Sequence, residues 1–302
     1  MEYFVPLSLN QAEKLKKKIA GSAFLAGGTA LNWRGAPAAK ALIDLKKLNP
    51  QEIEASKNKI IIGAGVTIQE LSLSKKVPPE IAKAAGTFTS INVRNIATVG
   101  GTAASGFFIS ILLPVFAAYE AEVEYYFSGP LEIALRNAEH FQDLKSRESF
   151  RFLGAKQSQG LSPGNLSDFS GKKKIANITE WLKLKRGIVC AVIIKKIQRK
   201  VKITEDKIAA SDFPSIVTAL GFDLNGGKIS NAVIAVSGAT GPLSISKTAA
   251  SYLNGLKPCE ADAAKLAHAA LSDIKTSGNV KVSARVKQRM IESHLRALLS
   301  AI

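Results

Sequence analysis

The chain has 302 residues, of which 46% are hydrophobic and 22% are charged, a composition that excludes an intrinsically disordered protein and allows two or three domains with a substantial core. Lysine and arginine total 41 against 24 aspartate and glutamate residues. The resulting net charge of +17 favours acidic partners, nucleotides or polyanions, and it does not select among them.

The first predicted elements alternate between helix and strand. SLNQAEKLKKKIA is typical of a capped helix, SAFLAGG of a short buried strand and ALIDLKKL of a second strand, which together predict a small βαβ-like unit. KIIIGAGVTIQEL predicts an apolar strand, a bend at residues 63–65 and a helix capped by Thr67 with Glu70 three positions later. EIAKAAGTFTS predicts a helix that ends at Gly86.

Two short stretches combine adjacent glycines with threonine. In the first stretch, Gly27, Gly28 and Thr29 form either an ordinary strand-to-helix turn or a set of backbone N–H groups that face a phosphate. In the second, residues 98–102 repeat the pattern in a predicted loop. Two such loops could clamp a diphosphate from both sides, which strengthens the phosphate interpretation. Neither matches the GxGxxG turn of a Rossmann site.

The order and spacing of these motifs over residues 3–126 resemble the FAD-binding (medium) subunit of the molybdenum hydroxylases, of the xanthine dehydrogenase and carbon monoxide dehydrogenase type. The stretches that carry the resemblance are FLAGGTALN, ALIDL, IIIGAGVTIQEL, VRNIATVGGTAASG and ILLPVFAAYEAEVE. It implies an α+β fold: a two-subdomain, PCMH-type FAD-binding domain over residues 1–195, with subdomains at about 1–55 and 56–195. A C-terminal α+β domain with a small antiparallel sheet and helices would follow over residues 196–302.

The resemblance also implies where FAD binds. The stretch around the first glycine pair would wrap one side of the FAD diphosphate and the stretch around the second pair would hold the other. The implied FAD-binding residues are Ala26, Gly27, Gly28, Thr29, Ala30, Leu31, Thr98, Gly100, Gly101, Thr102, Val189 and Lys207. Lys207 lies in DKIAASDFPSIV, which resembles a family stretch whose lysine approaches the flavin, although a lysine in so basic a chain is usually solvated surface. Arg94 and Asn95 are expected to support the second loop.

Three positions depart from the family pattern. Thr102 stands where the family usually has asparagine, Ile111 where an acidic residue is common, and Ser211 where the family has arginine. These changes could alter flavin affinity, so a flavin-less assembly or structural subunit is the alternative interpretation.

Residues 128–186 fit the family least well. Their short helical patterns, their Ser/Gly/Pro/Asn-rich stretch and their KKK run predict a solvated surface insertion, with a docking or lid element as the alternative.

The residues that usually carry catalysis or metals form no recognisable constellation. The histidines, His140, His268 and His294, belong to no Ser/His/Asp or metal-ligand pattern, and Cys190 and Cys259 form no CxxC motif, which argues against a zinc or iron–sulfur site in this chain. We therefore expect no catalytic side chain. The N-terminus lacks a signal-peptide pattern and no apolar run has transmembrane length, so we expect a soluble cytoplasmic protein.

The resemblance implies electron transfer through bound FAD. Partner subunits would carry the molybdenum cofactor and [2Fe-2S] clusters, and the flavin would reduce NAD(+) or another acceptor, with no binding to nucleic acid and no membrane insertion.

Two further alternative functions remain. A basic nucleic-acid-binding protein fits the charge, but basic motifs interleaved with aromatic residues are missing. A different FAD enzyme of the same fold, such as the cell-wall precursor reductase, would need a catalytic Ser/Glu arrangement that the sequence does not display.

Overall fold

A computed structural model describes residues 1–33, 38–128, 172–184, 186–195, 198–209, 211–279 and 281–302. Three β-sheets with helices packed against them make up this part of the chain, which confirms the predicted α+β class. None of the helices within these ranges is both long and apolar enough to cross a membrane. The domain boundaries given above stay predictions.

The first sheet is parallel and contains the residues that lead into the first glycine pair. Helix α1 (Leu9–Lys18) connects its first two strands, and the Ser8 side chain caps this helix by accepting a hydrogen bond from the Gln11 N–H. The strand order is β1-β3-β2, with β1 at Glu2–Phe4, β2 at Ser22–Leu25 and β3 at Ala41–Asp44. The predicted helix and strands of the βαβ-like unit are confirmed.

The second sheet is antiparallel and has the order β4-β5-β8-β6-β7. Its strands are β4 (Ile53–Ala55), β5 (Ile60–Gly63), β6 (Glu122–Phe127), β7 (Lys172–Asn177) and β8 (Ile188–Ile194). The KKK run, predicted to lie in a surface insertion, instead opens β7, because its backbone pairs with β6. Residues 175–184 of the predicted insertion also belong to regular structure, as the rest of β7 and a helix with buried Ile178 and Trp181. Residues 129–171, His140 among them, lie outside the described residues.

Seven helices of the described residues precede the third sheet. Besides α1 they are α2 (Ile68–Leu73), α3 (Pro79–Gly86), α4 (Ile91–Arg94), α5 (Val99–Ser105), α6 (Leu112–Ala118) and α7 (Ile178–Leu184). Thr67 and Glu70 form the predicted capping box of α2, and α3 ends at Gly86 as predicted. Every residue of α6 is buried, since this helix packs against both the third sheet and α3.

The third sheet is antiparallel, has the order β12-β11-β10-β9 and packs against three helices. Its strands are β9 (Lys200–Glu205), β10 (Val217–Asn225), β11 (Lys228–Ser237) and β12 (Ser244–Ser246). The helices are α8 (Lys247–Leu253), α9 (Ala263–Asp273) and α10 (Ala284–Ser300). One face of this sheet joins the main core, and the other forms a second apolar core with the three helices.

A buried arginine ties α6 to the third sheet. The Arg199 side chain is fully buried and donates to the carbonyl oxygens of Ala118, at 2.6 Å, and of Asn231. Its guanidinium also forms ion pairs with Glu120 at 2.9 Å and with Asp223 at 3.4 Å. Burial lowers the pKa of Arg199, while the two carboxylates act in the opposite direction. One side chain therefore connects the end of α6 with the β10–β11 hairpin.

A buried histidine joins α10 to the third sheet. His294 lies with Nδ1 3.1 Å from the Thr218 hydroxyl and Nε2 2.7 Å from the Asp206 carboxylate. Burial lowers the pKa of His294, and Asp206 opposes this shift. The folded protein therefore favours the neutral imidazole more than the unfolded chain does.

This shift predicts an acid-sensitive stability. Between the unfolded pKa of 6.5 and the lower folded pKa, the unfolded chain binds more protons, so the free energy of unfolding falls as the pH is lowered through this interval. We expect His294→Gln to flatten the pH dependence of urea-denaturation midpoints below about pH 6.5, the ordinary value of histidine. His268→Gln, at an exposed position of α9, is the control. Equal pH slopes in His294→Gln and the wild type would contradict the assignment.

Candidate cofactor-binding site

The first glycine loop, residues 26–30, leaves the end of β2 and folds back tightly. Gly28 has φ +69°, a left-handed conformation that glycine adopts without strain. Its carbonyl oxygen accepts hydrogen bonds from the N–H groups of Leu31 and Asn32, each at 3.1 Å. The loop therefore makes a tight turn, a setting in which backbone N–H groups can form an anion-binding nest.

The structure brings the two glycine pairs together. A Cβ atom on Gly27 would lie 2.0 Å from the Ile96 carbonyl oxygen and 3.1 Å from the Ala97 Cα. Only glycine allows this approach, because any side chain would collide with backbone. The first loop thus packs directly against the residues that precede the second glycine segment, residues 98–102.

The second glycine segment is the first turn of a helix, so its prediction as a loop was wrong. Thr98 caps α5, and its hydroxyl accepts a hydrogen bond from the Gly101 N–H at 3.0 Å. A Cβ on Gly100 would lie 2.6 Å from the Ala64 Cβ, so glycine is needed here for helix packing. The sequence pattern assigned Gly100 to a loop. In the structure, this glycine permits a close contact between α5 and the turn after β5.

Hydrogen bonds within the protein already occupy the N–H groups of the second segment. Val99 donates to the Val66 carbonyl and Gly100 to the Ala64 carbonyl, each at 2.9 Å, while Thr102 donates to the Thr98 carbonyl at 2.9 Å. Together with the Gly101 bond, these contacts satisfy the start of α5. This segment is a scaffold whose backbone donors are not available to a ligand.

The first glycine loop differs in this respect. Within the described ranges, no acceptor receives a hydrogen bond from the backbone N–H groups of Gly27, Gly28, Thr29 or Ala30. All four residues are partly exposed, so these donors can reach a ligand. The donors of the site are therefore concentrated in one loop, and the neighbouring helix fixes the position of that loop.

An arginine braces the approach to the second segment. Arg94 donates through Nε to the Gln69 side chain at 2.9 Å and through Nη1 to the Thr89 carbonyl at 2.8 Å. Both partners are uncharged, and no carboxylate of the described residues pairs with this guanidinium. Its positive charge favours an anion nearby.

Aromatic side chains border the glycine residues, an arrangement that sequence reasoning missed. The Trp33 ring meets the Phe107 ring edge-to-face at 5.1 Å and the Phe213 ring at 5.4 Å. Trp33 is 42% exposed and follows the first loop, whereas Phe107 follows α5. These rings come from segments far apart in sequence, so no local pattern could have grouped them.

The remaining predicted site residues occupy two settings. Val189 lies in β8, a strand against which α5 packs, and is buried in the main core. Lys207 donates to the Thr87 carbonyl and lies 3.5 Å from the Glu205 carboxylate, so its charge already has a partner. The structure therefore places Val189 behind the second segment and Lys207 in the 87–89 turn region that Arg94 also contacts.

The three departures from the family pattern also fall in different places. Thr102 is partly exposed in α5. Ile111 is 2% exposed and belongs to the apolar core. The Ser211 carbonyl accepts a hydrogen bond from the Thr89 hydroxyl at 2.8 Å, which links the 206–215 loop to the turn before α4. Apolar packing accounts for Ile111, because an ionised side chain there would have to be buried.

The site contains neither an activated cysteine nor a metal-ligand cluster in the part of the chain that the structure describes. Burial raises the pKa of the Cys190 thiol to about 11, so this thiol stays protonated near neutral pH. No group of three or more His, Cys, Asp or Glu side chains is positioned to hold a metal ion among those residues. What the site does offer is the set of backbone donors in the first glycine loop.

These features fit the diphosphate of FAD. A diphosphate needs several N–H donors and a close approach of backbone, and the first glycine loop supplies four N–H groups that no acceptor of the described residues uses, two of them at glycines. The second glycine segment holds this loop through the Gly27–Ile96 contact. Flavin rings pack well against apolar and aromatic side chains, which the site also offers at Trp33.

Comparison with known families and sequences covers mainly the N-terminal half. The family model of the FAD binding domain in molybdopterin dehydrogenase matches residues 1–149, which include both glycine segments. YgfM of Escherichia coli K12, an uncharacterized protein, is 33% identical over 124 residues, which cover 40% of this chain and 48% of YgfM. The matching region thus spans about half the length of that relative.

Solved structures extend the comparison to nearly the whole chain. One similar structure is that of carbon monoxide dehydrogenase from Hydrogenophaga pseudoflava, in a form that lacks the Mo-pyranopterin moiety of the molybdenum cofactor. One of its chains matches this chain with a TM-score of 0.76 and 19% sequence identity, and the match covers 100% of this chain and 96% of that chain. Quinoline 2-oxidoreductase from Pseudomonas putida 86 has a TM-score of 0.73 and 17% identity, over 100% and 96%. These likenesses establish the fold. The N-terminal part of the chain, residues 1–149, thus matches the family of FAD-binding domains of molybdopterin dehydrogenases.

Proposed function

We propose that this chain binds FAD at the first glycine loop and is the electron-transfer subunit of a heteromeric molybdenum hydroxylase. The observation that carries the proposal is the set of N–H groups at Gly27, Gly28, Thr29 and Ala30 that no acceptor among the described residues uses, in a loop held against Ile96 within the region that matches the FAD-binding family. Backbone donors in a glycine loop are suited to a diphosphate.

The two glycine segments have different roles in this proposal. The first loop would hold the diphosphate with its N–H groups, and the Thr29 hydroxyl could add a further donor. The second segment would bind little of the diphosphate through its backbone, because Ala64, Val66 and Thr98 already accept its N–H groups. It positions the first loop instead. The hydroxyl of Thr102 remains as a side-chain donor at this helix.

No side chain of this site is assigned acid, base or nucleophile chemistry. FAD, when bound, would supply the electron transfer, and the protein would supply binding, orientation and electrostatics. Arg94, whose charge no described carboxylate neutralises, would favour the negative charge of the cofactor. Trp33 and Phe107 would exclude water from one border of the site.

The proposed partners follow from the same family. Structures with this fold come from enzymes described as Cu,Mo-CO dehydrogenase and as quinoline 2-oxidoreductase. By analogy, partner subunits of this protein would carry the molybdenum cofactor and [2Fe-2S] clusters, and electrons would leave from FAD to NAD(+) or another acceptor in the cytoplasm. Fold analogy supports the class of this function and gives neither the organic substrate nor the acceptor.

A charge placed in the first glycine loop tests the binding mode. Gly28→Asp is expected to lower FAD occupancy at least about tenfold, because its carboxylate would repel the diphosphate at close range. The measurement is the visible absorption spectrum of the purified chain, with chromatographic identification of the flavin released by denaturation.

Gly226→Asp is the matched control for Gly28→Asp. Gly226 has φ +58° and no atom within 4 Å of its Cβ position, so this variant introduces the same charge and a similar backbone strain in the β10–β11 hairpin. It should keep the flavin. A wild-type chain that is colourless and takes up no added FAD would overturn the proposal and favour the assembly-subunit alternative.

A further inference from the structure

A second, basic cavity lies away from the glycine segments. It has a volume of about 600 Å³ and is bordered by β9, the residues before α3, and the end of α10. Ile60, at the start of β5, lines it, whereas Ala64, just after the end of β5, contacts Gly100. The cavity and the candidate flavin site therefore lie at opposite ends of one strand, and the cavity is a separate feature.

Lysines from two segments surround this cavity. Lys75 and Lys76 come from the connection between α2 and α3, and Lys200 and Lys202 come from β9. The Lys76 ammonium donates to the Ile53 carbonyl at 2.9 Å. Within the described ranges, the ammonium groups of Lys75, Lys200 and Lys202 form no ion pair or hydrogen bond. With four lysines and one acidic side chain, Glu80, the lining has an excess of positive charge, which favours an anionic ligand.

The lining also contains one acidic side chain, Glu80, which forms no ion pair with a lysine among the described residues. The Glu80 carboxylate accepts a hydrogen bond from the Tyr119 hydroxyl at 2.8 Å. Burial, together with this hydrogen bond to Glu80, raises the pKa of Tyr119, so the hydroxyl stays protonated and remains the donor. Arg199 also lines the cavity, but its guanidinium is engaged by Ala118, Glu120 and Asn231. The available cations are those of the lysines.

The floor of the cavity is apolar. It is formed by Val77, Pro78 and Val201, all of which are buried, whereas Phe222, which also lines the cavity, belongs to the second apolar core on the other face of the third sheet. A volume of this size is typical of sites for organic ligands, and a mostly apolar floor with a few charged groups at the rim binds an organic body and its ionised groups together. Lysine is a common phosphate binder that acts as a flexible point charge.

We infer that this cavity binds an organic phosphate with at least two negative charges, with its phosphates on Lys75, Lys200 and Lys202 and its organic part on the apolar floor. This phosphate site is separate from the proposed flavin site, and its lining includes no residue of the first glycine loop.

Calorimetric titration of the full-length chain with ADP, inorganic pyrophosphate and citrate tests this site. We expect ADP to bind, and pyrophosphate and citrate to bind at least about tenfold more weakly, since pyrophosphate lacks the organic part and citrate lacks the phosphates. Pyrophosphate binding equal to that of ADP would overturn the role of the apolar floor. Citrate binding equal to that of ADP would overturn the preference for phosphate.

Charge-neutralising variants locate the binding. Lys75→Gln with Lys202→Gln should weaken ADP binding at least about tenfold, because two of the three free cations are lost. Lys14→Gln with Lys18→Gln removes the same charge from exposed positions of α1 and should leave ADP affinity unchanged. FAD itself contains an ADP moiety, so ADP could also bind at the first glycine loop. Gly28→Asp is the variant that tests for this. ADP binding that survives the Lys75/Lys202 change but is lost in Gly28→Asp would place ADP at the glycine loop and overturn the proposal.

Lysine acetylation followed by mass spectrometry gives a direct readout of the site. ADP should protect Lys75, Lys200 and Lys202 from the reagent and leave Lys14 and Lys18 unprotected. Equal modification of all five lysines with and without ADP would overturn the proposal even if the variants had folding defects. Failure of the flavin proposal would leave this result unchanged, since the measurement does not depend on FAD.

Discussion

Gly27→Ala is expected to abolish most FAD binding and to destabilise the N-terminal half of the chain. The added Cβ would lie 2.0 Å from the Ile96 carbonyl oxygen, so the first glycine loop must move away from the second segment. Overpacking of this kind costs about 2 kcal/mol of stability, and displacement of the donors should lower FAD affinity at least about tenfold. FAD content of the purified variant and its urea-denaturation curve measure both effects.

Gly241→Ala provides the control for this substitution. No atom lies within 4 Å of the Cβ position of Gly241, and its backbone does not have a positive φ. The change in chain entropy is the same as at Gly27, so any difference between the variants reports the contact with Ile96. A Gly27→Ala protein with wild-type flavin content would contradict the role of this contact.

Arg199→Met is expected to cause the largest loss of stability among single changes outside the glycine segments. It removes the Arg199 cation from Glu120 and Asp223, which are only 34% and 29% exposed, and it removes the Arg199 donors from the Ala118 and Asn231 carbonyls. Removing one partner of a buried ion pair typically costs about 3 kcal/mol or more. Equilibrium unfolding in urea measures the difference.

Two comparisons separate the possible causes. Arg289→Met makes the same exchange at an exposed position of α10 and should change the free energy of unfolding by less than about 0.5 kcal/mol. Arg199→Lys keeps the positive charge but cannot reproduce the planar fork that reaches Ala118, Glu120 and Asn231 at once, so it should recover only part of the loss. Equal stability of Arg199→Met and Arg289→Met would contradict the proposed junction.

Local sequence patterns predicted the elements whose boundaries depend on neighbouring residues. The cap of α2 at Thr67 and Glu70 is a contact between residues three positions apart, and the end of α3 at Gly86 follows from its composition. Strand β5 was visible as an apolar run before a glycine bend. Each of these depends on local chemistry, so the sequence alone was sufficient.

The second glycine segment shows where this reasoning stops. Two adjacent glycines are poor helix formers, so residues 98–102 were predicted as a loop. The helix forms because Gly100 permits contact with Ala64, more than thirty residues earlier, and because the Val66 and Ala64 carbonyls accept the N–H groups of Val99 and Gly100. Tertiary contacts of this kind leave no trace in the local pattern.

The same limit applies to the site as a whole. The resemblance grouped both glycine pairs, and the structure indeed places them together through Gly27 and Ile96. The resemblance did not show that the two glycine segments differ in their backbone hydrogen bonding. In the second segment the N–H groups already have acceptors, whereas no described acceptor pairs with those of the first loop, and this difference depends on which groups lie nearby in the fold. The grouping of Trp33, Phe107 and Phe213 was likewise out of reach, since these rings meet only in the folded chain.

The internal hydrogen bonding of the second glycine segment has an evolutionary consequence. Since the start of α5 satisfies its own backbone groups, this part of the framework requires no ligand to be complete. Substitutions in the first loop that avoid the contact with Ile96 can therefore remove the cofactor without being eliminated by selection for folding. Descendants of such a chain could keep the same architecture while losing redox activity, and inheritance of the fold would then be no guide to inheritance of the flavin.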